Sequence, residues 1–248
     1  MRVLTVVGNR PQFVKAAAVS RRLRDVHDEV LVHTGQHHDD ELSAVFFAEL
    51  DLPAPDHWLG VSGATNTSQL GRMLAALEPL LEADAVLVYG DTNSTLAGAL
   101  AAADRSIPVV HVEAGMRSFD RTMPEERNRV LCDQLSALLL CSSAGAALNL
   151  RREAVPGRVE VVGDVMVDVA LAVQPRARER GQPLADLGVA PGAYLLATAH
   201  RAANVDDPAR LERLVELLEA IEEPIVLPLP PRTRARARAA GLQARLHR

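Results

Sequence analysis

The sequence predicts an α/β protein built on a parallel, doubly wound sheet. Short apolar runs rich in Val, Leu and Ile alternate along the chain with stretches whose apolar residues recur at helical spacing, and strand–helix alternation of this kind implies a parallel sheet with right-handed crossovers. The runs are apolar throughout rather than at every second position, as strands covered by helices on both faces must be. Several of them end in polar clusters: Tyr89 to Thr95, His111 to Arg117, and Thr198 to Arg201 with Asn204. In an open α/β sheet the carboxyl ends of the strands are where ligands bind.

The first strand is Met1 to Val7, closed by Gly8-Asn9-Arg10-Pro11. Pro11 suits the first turn of a helix, where its missing N–H costs nothing, and Lys15, Val19 and Leu23 continue at helical spacing. A second strand, Glu29 to His33, ends in Thr34-Gly35-Gln36-His37. Helices are expected over Asp40–Leu50 and Ser68–Leu81, separated by a Pro- and Gly-rich loop from Pro53 to Gly63. The alternation then runs through Ala85–Tyr89, Leu96–Ala103, Val109–Val112, Pro124–Ala137, Leu138–Cys141 and Val159–Val162. The polar stretch Arg176–Pro183 reads as a linker between domains at residues 1–175 and 186–248. Beyond it come a strand at Tyr194–Thr198, a helix at Pro208–Ile221, a strand at Ile225–Pro228 and a helix at Arg232–Ala240. Two strands and two helices make a thin second sheet.

Composition narrows the function. Aromatic residues form only 3% of the chain, too few for base-stacking platforms on single-stranded nucleic acid. The formal net charge of −5 argues against a phosphate-backbone footprint, and the Arg-rich tail from Arg232 reads as the solvated face of a helix. Cys132 and Cys141 are too few and too far apart for a zinc knuckle or redox pair. No charged-then-apolar leader precedes the first strand and no apolar run reaches the ~18 residues of a membrane span. A soluble, cytosolic protein is expected.

The polar clusters carry the chemistry. Gly8 to Pro11 joins a strand to a helix N-terminus, where free N–H groups and the helix dipole favour an anion; Arg10 adds a bidentate fork and Lys15 a point charge. Asp91 and Glu113 are carboxylates at two strand ends, although Asp91 alone could simply cap the helix that begins near Thr92. Glu125 and Arg129 lie four apart in Pro124-Glu125-Glu126-Arg127-Asn128-Arg129 and share a helix face, the spacing also of an ordinary surface ion pair. His37, His38, Asp39 and Asp40 show no ligand spacing that a metal needs. Neither GxGxxG nor GxxxxGK[ST] occurs, so a dinucleotide fingerprint and a P-loop are both unsupported.

Taken together, VVGNRPQFVKAA, TGQHHDD, FFAELDLPAPDHWLGV, YGDTNSTLAGALAA, HVEAGMRSFD, MPEERNRVLCDQLS, VVGDVMVD and TAHRAANVD resemble, in order, the non-hydrolysing UDP-N-acetylglucosamine 2-epimerase family. The resemblance implies two Rossmann-like, doubly wound parallel-sheet domains of the GT-B kind, the second incomplete, and interconversion of UDP-N-acetylglucosamine with UDP-N-acetylmannosamine. It implies Asp91, Glu113 and Glu125 as acid/base carboxylates and His200 as a phosphate-side histidine. Arg10, Lys15, Arg129 and Arg201 would contact phosphates or orient carboxylates, and Gln36 would touch substrate. It further implies a homodimer, a nucleotide-sugar ligand, no cofactor, no metal, and no nucleic-acid or membrane partner.

The chain departs from the family pattern in places. Pro230 stands where a histidine is usual; in some members that histidine, with residues matching Gln36 and Arg201, forms a second, activating UDP-sugar site. Gln134 stands where many members carry His. The family pattern continues past Arg248 through a Ser-Gly-Gly and a Glu that grip diphosphate and ribose, so this 248-residue chain is expected to be nearly inactive and to bind UDP weakly. Two alternatives accompany the epimerase reading: the same chemistry on another UDP-2-acetamido sugar, or a homologue that binds UDP-sugar or another subunit without turnover.

Overall fold

The computed structural model describes residues 1–36, 49–63, 65–180 and 182–246. The expected helix Asp40–Leu50 and the His37–Asp40 cluster fall almost wholly outside the described residues. Two compact units are present, Met1–Pro175 and Arg176–Arg248.

The first unit is a seven-stranded sheet in the order β3-β2-β1-β4-β5-β6-β7. Its strands are β1 (Arg2–Val7), β2 (Asp28–His33), β3 (His57–Trp58), β4 (Ala85–Tyr89), β5 (Val109–Ala114), β6 (Leu138–Cys141) and β7 (Arg158–Val161), and every pairing is parallel. The order reverses between β1 and β4, which makes their carboxyl ends the topological switch point of the sheet. The helices are α1 (Arg10–Leu23), α2 (Asn66–Leu77), α3 (Asn93–Asp104), α4 (Pro124–Leu135), α5 (Ala144–Arg152) and α6 (Val165–Glu179).

Alternate residues of each strand serve opposite faces. Leu4, Val6, Val32, Val86 and Val88 pack with Met73 and Leu77 of α2, Leu96 and Ala97 of α3 and Cys132 of α4. Val3, Val7, Leu31, Leu87 and Tyr89 pack with Phe13, Ala16 and Ala17 of α1. The small residues of α3 let it lie close against the central strands; a Cβ on Gly98 would come within 2.8 Å of Val88 Cγ1. This two-faced burial is why the strands read as unbroken apolar runs.

Three expectations need correction. The loop Pro53–Gly63 contains the short edge strand β3, paired with Val32 and His33. Trp58 stacks on His33 with ring centroids 3.8 Å apart, a long-range contact that no local pattern reveals. Helix α5 follows β6, where the expected alternation has no helix. The stretch Arg176–Pro183 is not a plain linker: α6 runs through Pro175 to Glu179, with Arg176 and Arg178 in its last turn, where cations suit the helix dipole.

The second unit holds a two-stranded parallel sheet, β8 (Leu195–Leu196) with β9 (Ile225–Val226). Its helices are α7 (Gln182–Asp186), α8 (Ala202–Val205), α9 (Pro208–Glu219) and α10 (Pro231–Ala239). Val205, Leu211, Val215, Ala237 and Leu242 form its core. Asp207 caps α9, accepting from the Ala209 amide at 2.9 Å. The arginines of α10 point outward, as the sequence predicts, and Arg232 and Arg236 both pair with Asp206. Among the described residues, no helix is long and apolar enough to cross a membrane.

Candidate active site

The switch point gathers most of the expected site residues of the first unit. At the end of β4, Gly90 turns the chain with φ +64°. A Cβ there would sit 3.3 Å from Glu113 Oε2 and 3.6 Å from Lys15 Nζ, so Gly90 both adopts a conformation that other residues disfavour and leaves room for two facing side chains. Asp91 follows. The helix cap is Thr92, whose amide donates to Thr95 Oγ1 at 3.0 Å. The Asp91 carboxylate is turned elsewhere: Oδ2 accepts from Arg129 Nη2 at 2.5 Å. Its backbone carbonyl accepts from Asn128 Nδ2 at 2.9 Å.

Glu113 sits on a distortion of β5. Its φ is +72°, and the β5–β6 register slips between Val112 and Ala114. A bulge re-aims a side chain out of the pleat, and a left-handed glutamate is a strained conformation of the kind that concentrates at functional sites. The carboxylate meets Lys15 Nζ from α1 in an ion pair. Both side chains are largely shielded.

Arg129 also reaches Glu126 at 2.8 Å, three residues back on α4. The ordinary Glu125–Arg129 surface pair allowed by the spacing is thus replaced by a bridge from Glu126 through Arg129 to Asp91. Glu125 itself is exposed in the first turn of α4. Glu126 is 2% exposed. Burial alone would raise its carboxyl, but the Ser118 amide and hydroxyl, the Phe119 amide and Arg129 more than offset that and hold it at about 2.

Arg10 is the first, exposed residue of α1. Two amides of this turn are engaged internally, Gly8 N–H with Gln12 Oε1 at 2.8 Å and Gln12 N–H with Asn9 Oδ1 at 3.2 Å. Gln36, at the end of β2, is bound to the start of α3: its Oε1 accepts from the Ser94 amide at 3.0 Å and from Ser94 Oγ at 2.6 Å. Gly8 is required beneath that contact, since a Cβ would lie 2.0 Å from Ser94 Oγ and 2.2 Å from Thr34 Oγ1.

In the second unit, His200 and Arg201 follow β8 on an exposed loop that leads into α8. His200 Nδ1 lies 3.2 Å from Thr198 Oγ1, and Thr233 of α10 holds the preceding Ala199 carbonyl at 2.7 Å. Glu126, Asn128, His111 and Asp133 carry no functional signal of their own in the sequence. They lie inside the motifs quoted above, but only the fold shows that they brace Asp91 and the turns around Glu113.

This edge therefore presents two carboxylates on neighbouring strands, each against a cation. Such a set can pass protons to and from a bound molecule, and its cations can attract an anion. Among the described residues, no group of three or more His, Cys, Asp or Glu side chains is disposed to hold a metal ion.

The sequence pattern of UDP-N-acetylglucosamine 2-epimerase matches residues 21–247. The chain belongs to that family. Among members, a UDP-2,3-diacetamido-2,3-dideoxy-D-glucuronate 2-epimerase of Pseudomonas aeruginosa is 45% identical, over 98% of this chain and 70% of the relative. A UDP-N-acetylglucosamine 2-epimerase of Methanocaldococcus jannaschii is 38% identical, over 98% of this chain and 69% of that protein. The M. jannaschii crystal structure in complex with UDP-GlcNAc and UDP superposes with a TM-score of 0.84 at 37% identity, over 99% of this chain and 70% of its own. The family consists of UDP-sugar 2-epimerases, which are isomerases, and its solved members share the GT-B-like α/β fold.

Proposed function

We propose that the protein interconverts UDP-N-acetylglucosamine and UDP-N-acetylmannosamine by inverting C2. C2 lies beside no carbonyl, so its proton is not acidic enough for simple removal. Elimination solves this. A carboxylate takes the C2 proton, the C–H electrons form the C1=C2 double bond, and the C1–O bond breaks to release UDP. The product, 2-acetamidoglucal, is planar at C2. Re-addition of UDP at C1, with a proton delivered to the opposite face of C2, gives the epimer.

Two faces need two proton-transfer groups, and Asp91, Glu113 and Glu125 are the candidates. Arg10, Lys15, Arg129 and Arg201 would contact phosphates or orient carboxylates, His200 would serve the phosphate side, and Gln36 would be a further substrate contact. Positioned acids and bases each contribute about 10²–10⁴-fold. The juxtaposition of the Asp91–Arg129 and Glu113–Lys15 pairs at adjacent strand ends carries this reading. The route requires neither NAD nor a divalent metal, so turnover should survive EDTA and gain nothing from added NAD. We further expect a homodimer acting in the cytosol, testable by sedimentation and by cell fractionation.

Proton NMR of UDP-N-acetylglucosamine with the protein in D₂O tests the mechanism. Deuterium should appear at C2 of both epimers. Epimerisation that keeps the original hydrogen would refute elimination. A second reading has support in the P. aeruginosa relative, named for a UDP-diacetamido-glucuronate. Running both sugars side by side separates the two by kcat/KM.

A further inference from the structure

We propose that His111 and Asp133 are positioning residues that lock the two carboxylate-bearing turns to each other. Asp133, on α4, is fully buried, and so is His111, on β5. Asp133 Oδ1 lies 2.8 Å from His111 Nδ1. Its Oδ2 accepts from the Gly115 amide at 3.2 Å and from Arg117 Nη1 at 2.7 Å. The other ring nitrogen of His111, Nε2, lies 2.7 Å from the Gly90 carbonyl oxygen.

The protons can be assigned from these partners. A carbonyl oxygen only accepts, so Nε2 carries a hydrogen and donates it to Gly90. Nδ1 faces the Asp133 carboxylate at hydrogen-bond distance. Arg117, itself buried and paired with Glu153 at 2.6 Å, supplies a balancing charge on the other side of Asp133. Every polar atom of the His111 ring and the Asp133 carboxylate is therefore partnered, the condition under which a buried polar network specifies one geometry.

The connections run to the two turns that matter. Gly90 immediately precedes Asp91. Gly115 is two residues past Glu113, across the bulge that gives Glu113 its φ of +72°. A strained conformation persists only where its surroundings over-determine it, and the Gly115–Asp133 bond is one such restraint. The same helix that supplies Asp133 also holds the Asp91 carbonyl through Asn128 and the Asp91 carboxylate through Arg129. Helix α4 thus sets Asp91 from one side and, through Asp133 and His111, both turns from beneath. Neither His111 nor Asp133 reaches the exposed edge, so neither is assigned a step in the chemistry.

The role in turnover rests on the epimerase reading; the clamp itself does not. The test uses His111→Asn and His111→Gln in the full chain. An Asn amide nitrogen falls near Nδ1 and keeps the Asp133 contact while losing Gly90. A Gln amide nitrogen falls near Nε2 and keeps Gly90. In His111→Asn, kcat should fall about tenfold or more with KM within about threefold, because misplacement on the order of 1 Å costs chemistry more than binding. His111→Gln should recover a large part of that loss. In parallel, ¹⁵N–¹H NMR of the ligand-free chain should show the Gly90 and Asp91 amides displaced in His111→Asn and close to wild type in His111→Gln. Equal kcat in both variants and wild type, or Gly90 and Asp91 amides unmoved in His111→Asn, would overturn the proposal. If wild type itself epimerises neither sugar, as its expected near-inactivity allows, the amide shifts alone decide the clamp.

Discussion

Replacing Glu126 with Gln tests the brace behind Asp91 at its most heavily bonded point. The native carboxylate accepts four donors, from Ser118 N, Ser118 Oγ, Phe119 N and Arg129 Nη1. Those bonds overcome the cost of burial and hold its pKa at about 2 against an ordinary 4.5. That difference is worth about 3 kcal/mol at most, and about 2 once solvent screening near the mouth of the site is allowed for. A Gln side chain offers one acceptor oxygen and turns an NH₂ group toward donors, so Glu126→Gln should destabilise the first unit by about 2–3 kcal/mol at neutral pH. The sign of the pH dependence follows from linkage. Because the folded-state pKa is depressed, the stabilisation is fully present above 4.5 and is lost as pH falls toward 2; by pH 3 less than about half should remain. Urea unfolding of wild type and variant between pH 7 and pH 3 measures this directly. A difference below about 1 kcal/mol at pH 7, or one that does not shrink on acidification, would refute the assignment of Glu126 as a fully bonded anion.

In a complete, active form of the enzyme, Asp91→Asn, Glu113→Gln and Glu125→Gln should each lower kcat by about 10²–10⁴-fold with little change in KM, since each keeps size and removes a proton-transfer group; near-wild-type kcat in any one would remove that residue from the mechanism. His33 is buried between Phe13 and Trp58, and desolvation lowers its pKa to about 4. Its contribution should be complete above pH 6.5 and decline by up to about 3 kcal/mol as pH falls to 4, because the unfolded chain takes up the proton first. Trp58, the sole tryptophan, reports this unfolding by fluorescence, and His33→Gln should flatten the profile. Gly8→Ala drives a methyl group into Ser94 Oγ and Thr34 Oγ1 and should cost about 1–3 kcal/mol in denaturant unfolding; an unaffected midpoint would mean that the α3 N-terminus gives way freely.

The class of fold and the strand ends that carry chemistry are legible in the order of residues alone. The apolar runs had to be buried on both faces, and the polar residues closing them had to emerge at one edge. Asp91, Glu113 and Lys15 stand out because each follows a run or the turn after it. Arg129 stands out only as a helix-face residue. What the tertiary structure decided are the partners. Arg129 has three carboxylates within four residues on its own helix, Glu125, Glu126 and Asp133, and local spacing cannot choose between them; Asp91, thirty-eight positions away in sequence, draws it inward alongside Glu126. The left-handed turn at Glu113 belongs to a register slip between two strands, a property of the pair that neither strand encodes alone. His111 and Asp133 look like an ordinary strand histidine and an ordinary helix aspartate until β4, β5 and α4 come together. Local periodicity places residues on faces, whereas the hydrogen bonds that aim a catalytic carboxylate cross from one element to another and exist only once those elements have packed.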